Sequence, residues 1–142
     1  MKTIKQLLAE APRSPLRIAP DSSVYAALEL MAENNVGALL VMKDEKLVGI
    51  CSERDYARKV ILSGKSSRET PVSEIMTEKV FYALPTQMVD EAMALMTGKR
   101  IRHLPVMDGD KVLGVISMGD LVKETISHQA FVIKQLEHYI AG

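Results

Sequence analysis

At 142 residues, with 18 basic side chains balanced by 18 acidic ones, the chain can bury a real core. It has no net charge with which to gather nucleic-acid backbone or an anionic membrane surface. The single cysteine, Cys51 in the apolar run Leu47-Val48-Gly49-Ile50-Cys51, reads as a small buried thiol in a reducing compartment and excludes a disulfide framework.

The opening Met1–Glu10 lacks the continuous apolar stretch of a secretory signal, and no later run approaches the roughly 18 apolar residues of a bilayer span. A soluble, cytoplasmic protein with no nucleic-acid or membrane partner is expected. Moving residues 20–61 forward by 65 positions, without a gap, sets Pro20 on Pro85, Val24 on Val89, Leu39 on Leu104, Gly49 on Gly114, Ser52 on Ser117 and Asp55 on Asp120. Apolar, glycine and acidic positions hold one register, so the fold unit is a half-chain motif written twice. Two such copies ordinarily pack about an approximate two-fold axis, so clefts between them come as a related pair.

Each copy opens with a short extended piece, Leu16–Ile18 or Val80–Tyr82, closed by Pro20 or Pro85. A helix follows, with Asp21 and Thr86 as expected N-caps and Val24, Ala27, Leu28 and Met31, or Val89, Ala92, Met93 and Met96, as its core stripe. Two strands come next, Ala38–Met42 and Leu47–Ser52, joined by the polar turn Lys43–Lys46. The second copy's turn is Asp108-Gly109-Asp110-Lys111, where Asp-Gly is a strong hairpin signal. A second helix runs from Ser52 to about Leu62, stopped by Ser63-Gly64, or from Ser117 to about His128.

The unit is therefore β-α-β-β-α and the class α/β in its α+β form. The first repeat is expected over 1–65, a linker over 66–76 with a helical turn from Pro71 through Ile75, and the second repeat over 77–128. A C-terminal helix should occupy 129–142, with Phe131, Val132, Leu136 and Ile140 along a face that packs either on the module or on another subunit.

The strongest local signal is Gly49-Ile50-Cys51-Ser52-Glu53-Arg54-Asp55 and its echo Gly114-Val115-Ile116-Ser117-Met118-Gly119-Asp120. A strand enters a helix through Ser-x-x-Asp twice. One reading is a capping box, in which serine caps the helix and the acid three residues on returns a bond to the serine backbone. The other uses the same geometry for a ligand. A carboxylate in the first helical turn stays ionised and can accept from the 2′- and 3′-hydroxyls of a ribose, while free amides beside it suit a phosphate.

Arg54 supplies a cationic fork before its aspartate and Gly119 supplies none, so the two sites differ. In Ile101-Arg102-His103-Leu104-Pro105-Val106, Arg102 stands at a strand entry, either as solvated surface or as a phosphate contact, and His103 either as a structural hydrogen-bonding group or as a ligand contact. The matching Val36-Gly37-Ala38 is small and uncharged, which suits a backbone edge facing an adenine.

The half-motif, from the extended piece and proline to Gly-h-h-Ser-x-x-Asp with h apolar, resembles the cystathionine-β-synthase-type (CBS) domain. The tandem, with Ile75-Met76-Thr77 at the linker, resembles a stand-alone CBS pair, or Bateman module, over roughly Ile4 to Ser127. The resemblance implies adenosine nucleotides or dinucleotides, such as AMP, ADP, ATP or NAD, bound in two clefts between the repeats, and a homodimer.

It places a ribose on Asp120 beside Ser117, Met118 and Gly119, the base against Leu16, Val36, Gly37 and Ala38, and the phosphates near Arg102 and His103. The other cleft would use Ser52, Arg54 and Asp55 with Thr77, Phe81, Ile101 and the Arg102-His103 backbone. The first repeat departs from the family's Leu-Pro-Val with Leu39-Leu40-Val41.

No nucleophile-base pair, metal-ligand spacing among His103, His128 and His138, or phosphate loop of the Gly-x-x-x-x-Gly-Lys type is present, so no enzyme, catalytic cofactor or metal is expected. Two readings stay open. One is a sensor that binds an adenine nucleotide and acts on a target protein in trans; the other is a ligand-independent dimeric scaffold.

Overall fold

The computed structural model describes residues 1–10 and 16–141, with the side chains of 140 and 141 outside that description. In chain order the elements are α1 (Ile4–Glu10), β1 (Arg17–Ile18), α2 (Val24–Asn34), β2 (Ala38–Lys43), β3 (Lys46–Ser52) and α3 (Glu53–Tyr56). After α4 (Val89–Lys99) come β4 (His103–Asp108), β5 (Lys111–Ser117) and α5 (Met118–Ala141). The fold is mixed α+β. It divides into one unit holding β1, α2, β2, β3 and α3 with the chain through Phe81, and another holding α1, α4, β4, α5 and β5 from Leu113.

In the first-repeat unit β1 lies parallel to β2, which pairs antiparallel with β3, from Ala38 opposite Ser52 to Lys43 opposite Lys46. Asp44, at φ 57°, makes the two-residue turn between them. The helix α2 lays Val24, Ala27 and Met31 on this sheet against Leu39, Val41 and Cys51, all at most 2% exposed. The second-repeat unit buries the corresponding set, Val89, Ala92, Met96, Leu104, Val106 and Ile116. Truncating one such large side chain to alanine costs ~2–5 kcal/mol.

Several local expectations shift. The N-caps are Ser23, whose Oγ accepts from Ala26 N at 3.1 Å, and Met88, rather than Asp21 and Thr86. Asp21 is drawn into a turn that closes with Ser22 N donating to Ala19 O at 3.1 Å. Met88 has no capping oxygen, so only the return half of a capping box forms there, Met88 N donating to Glu91 Oε1 at 3.1 Å.

The extended piece of the second copy pairs at Ala83, bridged to Val106, and not at Val80–Tyr82. Ala83 with Val106 repeats the Ile18 pairing with Val41 at the 65-residue offset, and Pro105 removes the pair ahead of it. In the first unit Leu40 N donates to Leu16 O at 3.1 Å, and a proline at the equivalent position has no N–H to give. The first repeat's second helix is α-helical only to Tyr56 and continues as a π-helical turn, Ala57–Ile61, with Leu62 N donating to Ala57 O at 3.3 Å. In the second repeat α5 runs unbroken through His128 to Ala141.

The sequence pattern did not call α1. Thr3 and Gln6 cap it reciprocally, Thr3 N donating to Gln6 Oε1 at 2.9 Å and Gln6 N to Thr3 Oγ1 at 3.2 Å. It occupies in the second-repeat unit the place that the 3₁₀ turn Val72–Glu74 occupies in the first. Ile4 N donates to Gln87 O and Lys5 N to Pro85 O, as Val72 N does to Ser22 O and Ser73 N to Pro20 O, all at 2.8–2.9 Å.

Glycines permit both contacts. A Cβ on Gly49 would meet Met76 Sδ at 2.8 Å, and one on Gly114 would meet Leu8 Cδ2 at 3.0 Å. The segment preceding the first repeat thus completes the second, and the segment following the first repeat completes the first.

Candidate functional site

Each unit brings its Ser-x-x-Asp turn against the entry of its middle strand. In the first-repeat unit β3 ends at Ser52, opposite Ala38, and Glu53 N donates to Gly37 O at 3.0 Å. Val36, Gly37 and Ala38 therefore lie beside the start of α3. Thr77 joins the same corner, bridged antiparallel to Ile50 with Ile50 N to Thr77 O at 3.0 Å and Thr77 N to Ile50 O at 2.8 Å. In the second-repeat unit Met118 N donates to Arg102 O at 2.9 Å, which sets Ile101, Arg102 and His103 beside Ser117, Met118, Gly119 and Asp120. Leu16 precedes β1, and half-buried Phe81 precedes the Ala83 bridge.

Both acids make the capping box. Asp55 Oδ2 accepts from Ser52 N at 3.0 Å and from Ser52 Oγ at 2.9 Å, and Asp55 N donates to Ser52 Oγ at 3.1 Å. Its second oxygen lies 3.5 Å from Lys59 Nζ, which also donates to Ile75 O at 3.0 Å. In the second unit Ser117 N donates to Asp120 Oδ2 at 2.9 Å and Asp120 N to Ser117 Oγ at 3.1 Å. The helix start, two backbone amides and a fixed carboxylate are thus held in one geometry twice.

The surroundings differ. Arg54 is exposed beside Asp55, whereas at Gly119 an added Cβ would meet only Ser117 Oγ, at 3.6 Å, so that position has room for a side chain and carries none. The residue one turn beyond the aspartate is Lys59 in one copy and Glu124 in the other. Glu124 is 8% exposed and accepts from Lys2 Nζ at 3.2 Å, and Lys2 also pairs with Glu10. The hydrogen bond to Glu10 raises the pKa of Lys2, assisted by the bond to Glu124.

A cavity of about 320 Å³ within the second-repeat unit is bordered by Asp120, Lys123 and Ser127 of α5, Val115 of β5 and Leu8 of α1. Sequence reasoning missed Lys123, Ser127 and the α1 side chains here. The signal was Thr3-x-x-Gln6 ahead of Leu7-Leu8, a capping box that announces a helix.

Cys51 is 1% exposed, and burial, with Asp55 nearby, pushes its thiol up to about 12, so it is no nucleophile at neutral pH. Among the described residues no group of three or more His, Cys, Asp or Glu is placed to hold a metal ion, and no helix is long and apolar enough to cross a membrane.

Known proteins share this doubled architecture. The CBS domain family model matches residues 8–61 and again 72–127, so the chain belongs to the CBS domain family and carries two copies of the domain. A solved CBS-domain protein from Burkholderia ambifaria MC40-6 is 51% identical, with a TM-score of 0.86 over 90% of this chain and 96% of that one.

The Arabidopsis thaliana CBS domain-containing protein CBSX3, mitochondrial, is 42% identical over 127 residues, which cover 86% of this chain and 62% of that protein. A CBS domain pair solved in complex with 5′-methylthioadenosine and S-adenosyl-L-methionine is 25% identical, with a TM-score of 0.79 over 90% of this chain and 98% of that one.

Proposed function

We propose that this CBS pair is a non-catalytic regulatory sensor. It binds an adenosine ligand of the AMP, ADP, ATP or NAD type in clefts between its two repeats and signals to another chain by a change in module or homodimer geometry. The observation that carries the reading is the twice-built helix start, Ser52 with Asp55 and Ser117 with Asp120. There a carboxylate is fixed in the first helical turn, a group suited to a ribose diol. The amides of Ser52, Glu53 and Asp55, and of Ser117, Met118 and Asp120, already donate within the fold rather than standing free for a phosphate. The solved pair holding 5′-methylthioadenosine and S-adenosyl-L-methionine supports adenosine as the common element.

In this reading Asp120 holds one ribose beside Ser117, Met118 and Gly119, with Leu16, Val36, Gly37 and Ala38 at the base and Arg102 and His103 toward the phosphates. Asp55, with Ser52 and Arg54, holds the other, with Thr77, Phe81 and Ile101 opposite. The setting is cytoplasmic.

Thermal unfolding of the pure protein tests it. A ligand present at 100 times its dissociation constant stabilises the fold by about 2.7 kcal/mol. AMP, ADP, ATP, NAD, 5′-methylthioadenosine and S-adenosyl-L-methionine should include at least one that shifts the transition, and silence from all six rejects the sensor. A second reading, a ligand-independent dimeric scaffold, draws on the capping bonds that both carboxylates already accept.

A further inference from the structure

The helix α1 is both fastened to the second-repeat unit and part of its cavity. Ile4 has no exposed surface, Ile4 N and Lys5 N donate to Gln87 O and Pro85 O at 2.8 and 2.9 Å, and Val89 N donates to Lys2 O at 3.3 Å. Leu7, Leu8 and Glu10 of α1 border the cavity of about 320 Å³ together with Asp120, Lys123 and Ser127 of α5. That volume lies at the low end of ordinary ligand pockets, roughly 300–1,000 Å³.

Lys2 joins the two helices. Its Nζ donates to Glu124 Oε2 at 3.2 Å and also pairs with Glu10. Glu124 stands one turn beyond Asp120 and is 8% exposed, so its carboxylate has little water to replace that cation.

The fastening is all-or-none. The helix has seven residues, and an isolated helix shorter than about 12 residues is marginal in water. Away from its seat α1 is coil, and the cavity loses Leu7, Leu8 and Glu10 together. Lys2 leaves with them, and Asp120 and Glu124, four apart on α5, then repel each other without it. A molecule seated against Asp120 in this cavity meets a complete site only while α1 is docked.

Building on the sensor reading of Asp120, we propose that α1 is a ligand-linked arm. Occupancy of the Asp120 cavity and docking of α1 favour each other, so the second repeat reports its ligand as a change in how often α1 is seated. Coupling of this kind is reciprocal. In the first repeat the equivalent place is filled by the 3₁₀ turn Val72–Glu74, held by chain on both sides.

Amide hydrogen exchange of the full chain tests the coupling, with AMP, ADP, ATP, NAD, 5′-methylthioadenosine and S-adenosyl-L-methionine added in turn. The rates are read at Ile4, Lys5 and Leu7, whose amides bond Gln87 O, Pro85 O and Thr3 O. A compound that binds only the docked state, present at 100 times its dissociation constant, should slow these three about 100-fold. The slowing should vanish in Asp120→Ala. Ile4→Ala, at a position that does not border the cavity, should raise the dissociation constant of the same compound roughly fivefold or more, because part of the population is then undocked.

A compound that shifts the melting transition while the three amides keep their ligand-free rates overturns the arm and leaves the sensor standing. So does a slowing that persists in Asp120→Ala, or an Ile4→Ala chain that binds as tightly as the unaltered one. Where Ile4→Ala does not fold, the exchange rates of the unaltered chain decide alone. Six compounds silent in melting and in exchange alike remove both readings.

Discussion

A single substitution at Asp55 or Asp120 separates the capping role from the proposed ligand role. Replacing either by alanine removes the return bond to its serine and should lower stability by ~1 kcal/mol, read from denaturant unfolding. Under the sensor reading the same variant also loses its ligand-induced melting shift, whereas a scaffold shows only the capping loss.

Cys51 gives a second test at this scale. Its thiol is pushed up to about 12 from an ordinary 9.0, so the native state keeps a proton that the unfolded state releases. Stability contributed by the buried neutral thiol is therefore whole below pH 9 and declines as pH rises from about 9 toward 12. At pH 8 iodoacetamide should label Cys51 only in denaturant, and rapid labelling of the native protein contradicts the burial.

Glycines make a matched pair of predictions. Gly49→Ala drives a methyl to within 3.0 Å of the Thr77 carbonyl oxygen and should cost ~1–3 kcal/mol. Gly98→Ala in α4 meets nothing within 4 Å and should gain up to ~1 kcal/mol in helix propensity.

Elements repeat what the residues encode, with informative exceptions. The 65-residue register, the two hairpin turns and the core stripes were legible because apolar spacing and turn chemistry are local and strong, as at Val24-Ala27-Met31 and Asp108-Gly109. The exceptions have local causes that pattern matching passes over. Ser23 takes the cap because Asp21 is spent in a turn, the second extended piece shortens to the Ala83 bridge because Pro105 lacks a donor, and a π-helical turn at Ala57–Ile61 replaces the expected α-helix without any breaker residue in that segment.

The site was legible in part. Ser-x-x-Asp announced both the twin helix starts and the capping box that each serine forms with its aspartate. Nothing in a 65-residue offset revealed α1, since Thr3 matches Pro71 at 68 residues. Ile4, with no exposed surface, measures the docking of that helix. Ile4→Ala should destabilise the second-repeat unit by ~2–5 kcal/mol, with amide exchange accelerating in α4 and β4 while α2 and β2 keep their protection.

For the molecule as a whole, the duplicated halves are unequal in chemistry while alike in fold. Arg54 and Lys59 have become Gly119 and Glu124, so the two copies cannot respond alike to one anionic ligand. Calorimetric titration of a binding nucleotide should resolve two affinities or leave one site empty, and two identical sites would contradict this asymmetry.

The crossed completion of the repeats also fixes an order of events during synthesis. Residues 1–10 leave the ribosome before either repeat, yet their docking surface on α4, β5 and α5 is made only after the first-repeat unit. The first-repeat unit, closed by the local turn at Val72–Glu74, is free to settle as soon as it emerges. The leading helix must wait, its Ile4 and Leu8 wet, for a closure spanning most of the chain, and such long-range closure is slow. Pulse-labelled refolding should accordingly find β2 and β3 protected before α1, and a nascent chain stopped short of α5 will carry a finished half and an idle leader.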